Sequence, residues 1–139
     1  MADLATIRTA LANRITTGTG LQTLPEGRDL INPPVGVILP GQPVVMYGET
    51  MDGALQVSLR VFLLISDAAP NEAVQRALDA YLGIGSGEGQ SVAGAIQQDP
   101  TLGGTVHYAV PLQAANYGRV DYGGVIYFGA RVDVQIGTI

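Results

Sequence analysis

The chain has no cysteine, no lysine and a single histidine. Without thiols it has no disulfide framework, thiolate nucleophile or Cys-based metal site, and the redox compartment stays open. Its seven basic residues are all arginines, set against twelve acids for a net charge of −5. Such a chain offers no basic face for tight, sequence-independent phosphate binding, and beside DNA its acids repel. Long apolar runs are missing as well. The longest, Val61 to Ile65, falls far short of the ~20 residues of a membrane helix. The amphipathic opening MADLATIRTALANRI has no long apolar segment, so we expect no signal peptide and synthesis in the cytoplasm. Charge itself is scarce, at 14% of residues against 47% hydrophobic. That composition excludes disorder. It fits a surface partly covered by a partner, and equally a glycine-rich chain with many loops. At 139 residues, one domain is expected.

The strongest pattern present is Ala54 to Ser66, ALQVSLRVFLLIS. Leu55, Val57, Leu59, Val61, Leu63 and Ile65 alternate with Gln56, Ser58 and Arg60, the period of a strand with one buried face. From Val61 onward, Phe62 and Leu64 make the second face apolar too, which predicts a covering element at that end. Ala73, Val74, Ala77, Leu78, Tyr81 and Leu82 follow helical spacing, with Glu72, Gln75, Arg76 and Asp79 outward, so a helix over 73–82 is the expected cover. Pro70 suits its start and Gly83 its end.

Before that strand, Leu4, Ile7, Leu11 and Ile15 form one helical stripe. A helix is expected from Asp3, its N-cap, to about Thr16, with Gly18 and Gly20 stopping it. Val35, Val37 and Leu39 alternate briefly. Pro40–Gly41 reads as a turn, and Pro43 opens the run Val44 to Tyr47. Prolines 33, 34, 40 and 43 confine this region to a sheet edge or to interrupted strands. Gly48 to Gly53, GETMDG, is a polar loop joining Val44–Tyr47 to the long strand as a hairpin. Ser91 caps a short helix through Val92, Ala95 and Ile96 that ends at Asp99–Pro100. Val106, Tyr108, Val110, Leu112 and Ala114 are expected inward on the next strand, with Thr105, His107, Ala109, Pro111 and Gln113 outward. Arg119 to Tyr122 is extended, and Gly123–Gly124 is a two-residue hairpin turn. Ile126, Phe128, Ala130, Val132, Val134 and Ile136 line the inward face of the last strand. The whole predicts a single α+β domain over residues 1–139: a mostly antiparallel sheet, an N-terminal helix, and one or two helices on one face.

No site chemistry emerges from the residue patterns. The loop Gly83 to Gly89, GIGSGEG, is not a dinucleotide fingerprint. It follows a helix rather than a strand, and Glu88 stands where the third glycine belongs. A P-loop needs the lysine the chain lacks. Gly89-Gln90-Ser91-Val92-Ala93 resembles a nucleophile elbow without its last glycine, but Ser91 reads as a helix cap. One His107 and scattered acids make no metal-ligand spacing. Glu49, Asp52 and Asp99 read as solvated acids rather than a catalytic pair. Tyr108, Tyr117, Tyr122, Tyr127 and Phe128 lack the interleaved cations of a nucleic-acid platform. They read as sheet packing and interface anchors.

The C-terminal half carries a resemblance. Asp99-Pro100-Thr101-Leu102-Gly103-Gly104, then Val106 to Leu112, then Tyr122-Gly123-Gly124-Val125-Ile126-Tyr127-Phe128-Gly129-Ala130 and a final alternating strand resemble the tail terminator proteins of long-tailed bacteriophages. The N-terminal helix, the Pro33–Pro34 segment, the strand ending at Ser66–Asp67 and the amphipathic helix after it fit the same order. The resemblance implies a structural virion protein, not an enzyme, without cofactor, metal or membrane. It would form a homohexameric ring on the tail tube, end tube polymerisation and join the head connector, with DNA passing the lumen unbound. Assembly would take place in the host cytoplasm, and the finished protein would sit in the virion tail. The alternatives are another neck or tail-tube protein, or a small ligand-binding or hydrolytic domain. Glu49, Thr50, Met51 and Asp52 of the first loop, Ser86 and Glu88 of the second, and Arg60 and Arg131 on polar strand faces are the candidate interface residues. The edge near Val35–Leu39 and the C-terminal strand are candidates for pairing across subunits.

Overall fold

The computed structural model describes residues 3–27, 31–47, 55–66, 71–83 and 91–138. The helices are α1 (Leu4–Thr19), α2 (Glu72–Leu82) and α3 (Val92–Gln98), and the strands are β1 (Thr23–Leu24), β2 (Val35–Tyr47), β3 (Leu55–Ser66), β4 (Tyr108–Tyr122) and β5 (Val125–Gly137). The strands form one sheet in the order β1-β2-β3-β5-β4. Only the short β1–β2 pair is parallel. This is the expected α+β architecture.

β3 is the middle strand of the five, which accounts for its apolar content. Val57, Leu59, Val61, Leu63 and Ile65 pack on Ile7, Leu11 and Ile15 of α1, Leu78 of α2, and Val92 and Ile96 of α3. The three helices thus cover one face. The other face closes differently from expectation. Leu64 and Phe62 meet Val35 and Val37 of β2, Val120 and Tyr127 of the C-terminal strands, and Leu24, Ile31 and Leu39. The cover at that end is the sheet's own apolar neighbours and the segment before β2, not the helix at 73–82. Val35 lies opposite Leu64 and Val37 opposite Phe62, so cross-strand apolar pairs dry that corner.

α1 runs three residues beyond the expected end, to Thr19, and is closed by Gly20 in the left-handed region (φ 77°). Gly18 therefore sits inside the helix. A Cβ there would collide with the Cβ of Ala95, so this glycine lets α3 approach α1. At the other end Asp3 caps the helix by accepting from the Thr6 N–H at 2.8 Å. That bond holds its carboxyl below the usual range. α2 is capped by Asn71, which accepts from Val74, and α3 by Ser91, which accepts from Gly94.

Two strands differ from expectation. Pro40–Gly41 is no turn: β2 continues to Tyr47, and its register against β3 shifts between Pro40 and Val45. Two prolines without N–H groups are absorbed as an irregularity in one strand instead of ending it. β4 faces the other way. Ala109 pairs with Ile136 and is buried among the helices, whereas Val110 pairs with Gln135 on the face away from them. Leu112 falls at a register shift between Pro111 and Gln113 and is exposed. A second shift, between Ala115 and Gly118, lets Arg119–Tyr122 continue the same strand. The Gly123–Gly124 turn has φ of 61° and 82°, the two positive values that a type I′ hairpin requires.

Candidate assembly surface

The register of the sheet places the polar residues of β3 beside those of β5. Arg60 lies opposite Asp133, Phe62 opposite Arg131, and Ser58 opposite Gln135. Asp133 in turn lies opposite Gln113 of β4. The helix-free face therefore carries a polar centre around one carboxylate. Arg131 Nε stands 3.0 Å from Asp133 Oδ1, both side chains being 19% exposed. Gln113 Nε2 donates to Asp133 Oδ2 at 2.8 Å. In a pair this buried, the cost of desolvation works against the attraction, so its use is to organise the surface more than to hold the sheet.

Of the candidate interface residues, Arg60 and Arg131 thus come together around Asp133. Glu49, Thr50, Met51, Asp52, Ser86 and Glu88 lie outside the described residues. Asp133 and Gln113 were not singled out from sequence. The available signal was an acid on the polar face of the β5 pattern, which has no meaning until pairing supplies its neighbours.

The second feature is where apolar side chains remain in water. Among the described residues the exposed large hydrophobics are Met46, Val110, Leu112, Tyr117, Val125 and Ile126, between 42% and 57% exposed. Met46 lies on β2 and the others on the β4–β5 hairpin, so all six sit toward the two ends of the strand order. The edge near Val35–Leu39 is partly closed, because β1 pairs with Gly36 and Val37, and the C-terminal strand is not an edge, because β5 is paired with β3 on one side and β4 on the other. The open stretch of β2 lies further along.

Beside β4, Leu82, Ala114, Ala115 and Ala130 line a cavity of about 470 Å³, with Asp79 and Tyr117 at its wall. The Tyr117 hydroxyl donates to Asp79 Oδ1 at 2.8 Å. This bond to a carboxylate raises the phenol above its ordinary value of 10.0. The Tyr117 ring also stands edge-on to Phe128, with centroids 5.7 Å apart. The polar groups of this cavity are therefore engaged with one another.

The remaining reactive residue types are spent locally. His107 is exposed. Its backbone N–H donates to the Gly137 carbonyl at 2.8 Å, and its ring lies edge-on to Tyr108. Asp99 accepts from Thr101 Oγ1 and from the Gly103 N–H, which fixes the turn carrying Leu102 at φ 52°. Among the described residues no group of three or more His, Cys, Asp or Glu side chains converges, and no helix is long and apolar enough to cross a membrane. No protein-family model matches the chain, and no curated protein matches it either.

Proposed function

We propose that this chain is a structural subunit of a long-tailed phage virion. In this reading it caps the tail tube as a homohexameric ring, ends tube polymerisation and presents the joining surface for the head connector. The observation that carries the reading is the position of the exposed apolar side chains at both ends of one sheet. A head-to-tail ring needs two different, mutually complementary patches on each subunit; in this reading they are the five exposed apolar side chains of the β4–β5 hairpin and the stretch of β2 that carries Met46. The C-terminal segments that resemble tail terminators lie in the Asp99–Gly104 turn and in and around the β4–β5 hairpin, and the hairpin is also where most of that surface lies.

The net charge of −5 suits a lumen through which DNA slides without adhering. Ser91, Asp99 and Tyr117 direct their polar atoms at the chain's own backbone and side chains, which favours a structural over a catalytic role. The test is to add purified protein to polymerising tail-tube protein and follow tube ends by electron microscopy. Six-subunit rings seated on tube ends, with growth halted, support the reading. Unaltered growth with a protein monomeric at every concentration overturns it.

A further inference from the structure

The strand register specifies which surfaces meet. Starting from β2, successive neighbours β3, β5 and β4 are each antiparallel to the one before, so β4 runs opposite to β2. If the sheet of one copy continues into the next, β4 meets the neighbour's β2 in the antiparallel sense, the more stable ladder. The levels match too. Met46 pairs with Gln56, Gln56 with Gly137, and Gly137 with Tyr108. These four residues form one straight row across the sheet on the helix-free face, and Val110 lies two residues along β4 on that face. An unstaggered continuation therefore sets Met46 of one copy beside Tyr108 and Val110 of the next.

We infer that copies of this chain associate head to tail by pairing the open edge of β2, from Val44 to Tyr47, with the open edge of β4, from Tyr108 to Gln113. This deepens the proposed ring and rests on it. Three observations point to a second copy as the occupant. The two segments that would meet, Val44–Tyr47 and Tyr108–Gln113, carry no charged residue to repel a neighbouring strand, although Pro111 and the register shifts on both strands interrupt the ladder. Past Ile38, β2 has no outer strand among the described residues. A two-fold β4–β4 pair would leave Met46 and the β2 edge in water, whereas the head-to-tail contact covers both ends.

The size of the ladder also decides something. Four residues of β2 span only about 13 Å, a short ladder by itself. Two copies alone are thus held weakly. A closed ring, with two such contacts per copy, is the smallest arrangement in which every edge is paired.

The absence of native cysteine makes the test clean. Met46→Cys and Val110→Cys proteins are purified separately, mixed at high concentration, and treated with a short bis-maleimide that reaches direct and diagonal cross-strand neighbours. We expect cross-linked dimers in the mixture and little in either protein alone. The double variant should give a ladder ending at a closed ring. Dimers from Val110→Cys alone would show a two-fold contact and overturn the inference, as would no cross-link in the mixture. A second arm uses charge: Met46→Arg and Val110→Arg should each reduce assembly at least tenfold with unchanged far-ultraviolet circular dichroism, while Val125→Arg at the hairpin tip should not. The reverse pattern overturns the inference. Because purified protein alone is read, tubes that remain uncapped in the presence of cross-linked rings would refute the capping role and leave the edge pairing standing.

Discussion

Leu63 and Gly18 show how much of the fold hangs on single positions. Leu63 is fully buried at the centre of the sheet, between Gly36 of β2 and Ala130 of β5. Leu63→Asp places a carboxylate there with no partner, at a cost of several kcal/mol that a domain of this size cannot absorb. The variant should show no cooperative thermal transition. A sharp melt near the parent's would show that Leu63 is not in the core. Gly18→Ala is more finely balanced. Alanine favours the helix by about 1 kcal/mol, but its Cβ would press on Ala95, and overpacking costs about 1–3 kcal/mol. Net destabilisation is expected in a denaturant titration, with Ala95→Gly relieving it in the double variant. A stabilised Gly18→Ala would mean that α1 and α3 are not in close contact. Tyr117 carries a pH signature. Its phenol titrates higher in the folded protein than in the unfolded chain, so the stabilisation by the Asp79 bond is fully present below pH ~10. It is lost as pH rises through the folded value. Tyr117→Phe should remove this alkaline dependence, and a parent and variant that fall in parallel above pH 10 would contradict the bond.

At the scale of elements, legibility from sequence depended on whether a segment's two faces differ. β3 and β5 contrast an apolar set with Gln, Ser, Arg and Asp, and both were read with the correct inward face; only Ile126, at the hairpin end, turns out exposed. β4 reads YAVPLQAANYG over 108–118, apolar on both alternating sets, so periodicity has no purchase. What orients it is pairing with β5: Ala109 opposite Ile136 turns Val110 outward. The larger side chains Tyr108, Val110 and Leu112 suggested burial, but they belong to the surface, and the small Ala109 goes inward under the helices. The Pro40–Gly41 signal misled for a related reason. A turn requires two strands to separate there, whereas β3 stays paired with β2 on both sides of the irregularity. Caps were legible because they are local: Asp3 and Ser91 each meet an N–H three residues on. The Arg131–Asp133–Gln113 cluster was not, because Gln113 and Asp133 are joined only through strand register.

For the whole molecule, the scarce charge noted at the outset now has a location. The two stretches Val35–Tyr47 and Tyr108–Gly118 hold no charged residue, and four of the apolar side chains left in water, Met46, Val110, Leu112 and Tyr117, lie on them. A single copy with two such edges is liable to open-ended association. Closing the edges on one another in a ring removes that liability, which ties composition to the proposed role. The ring should form in a concentration-dependent way and be stabilised by a tube end, by mass action on the assembled state. The most direct measurement of the central claim is the distribution of tail lengths in a phage lacking this gene, taken by electron microscopy. The capping role predicts tails longer and more variable than the parent's, without heads attached. Tails of parental length joined to heads would contradict it.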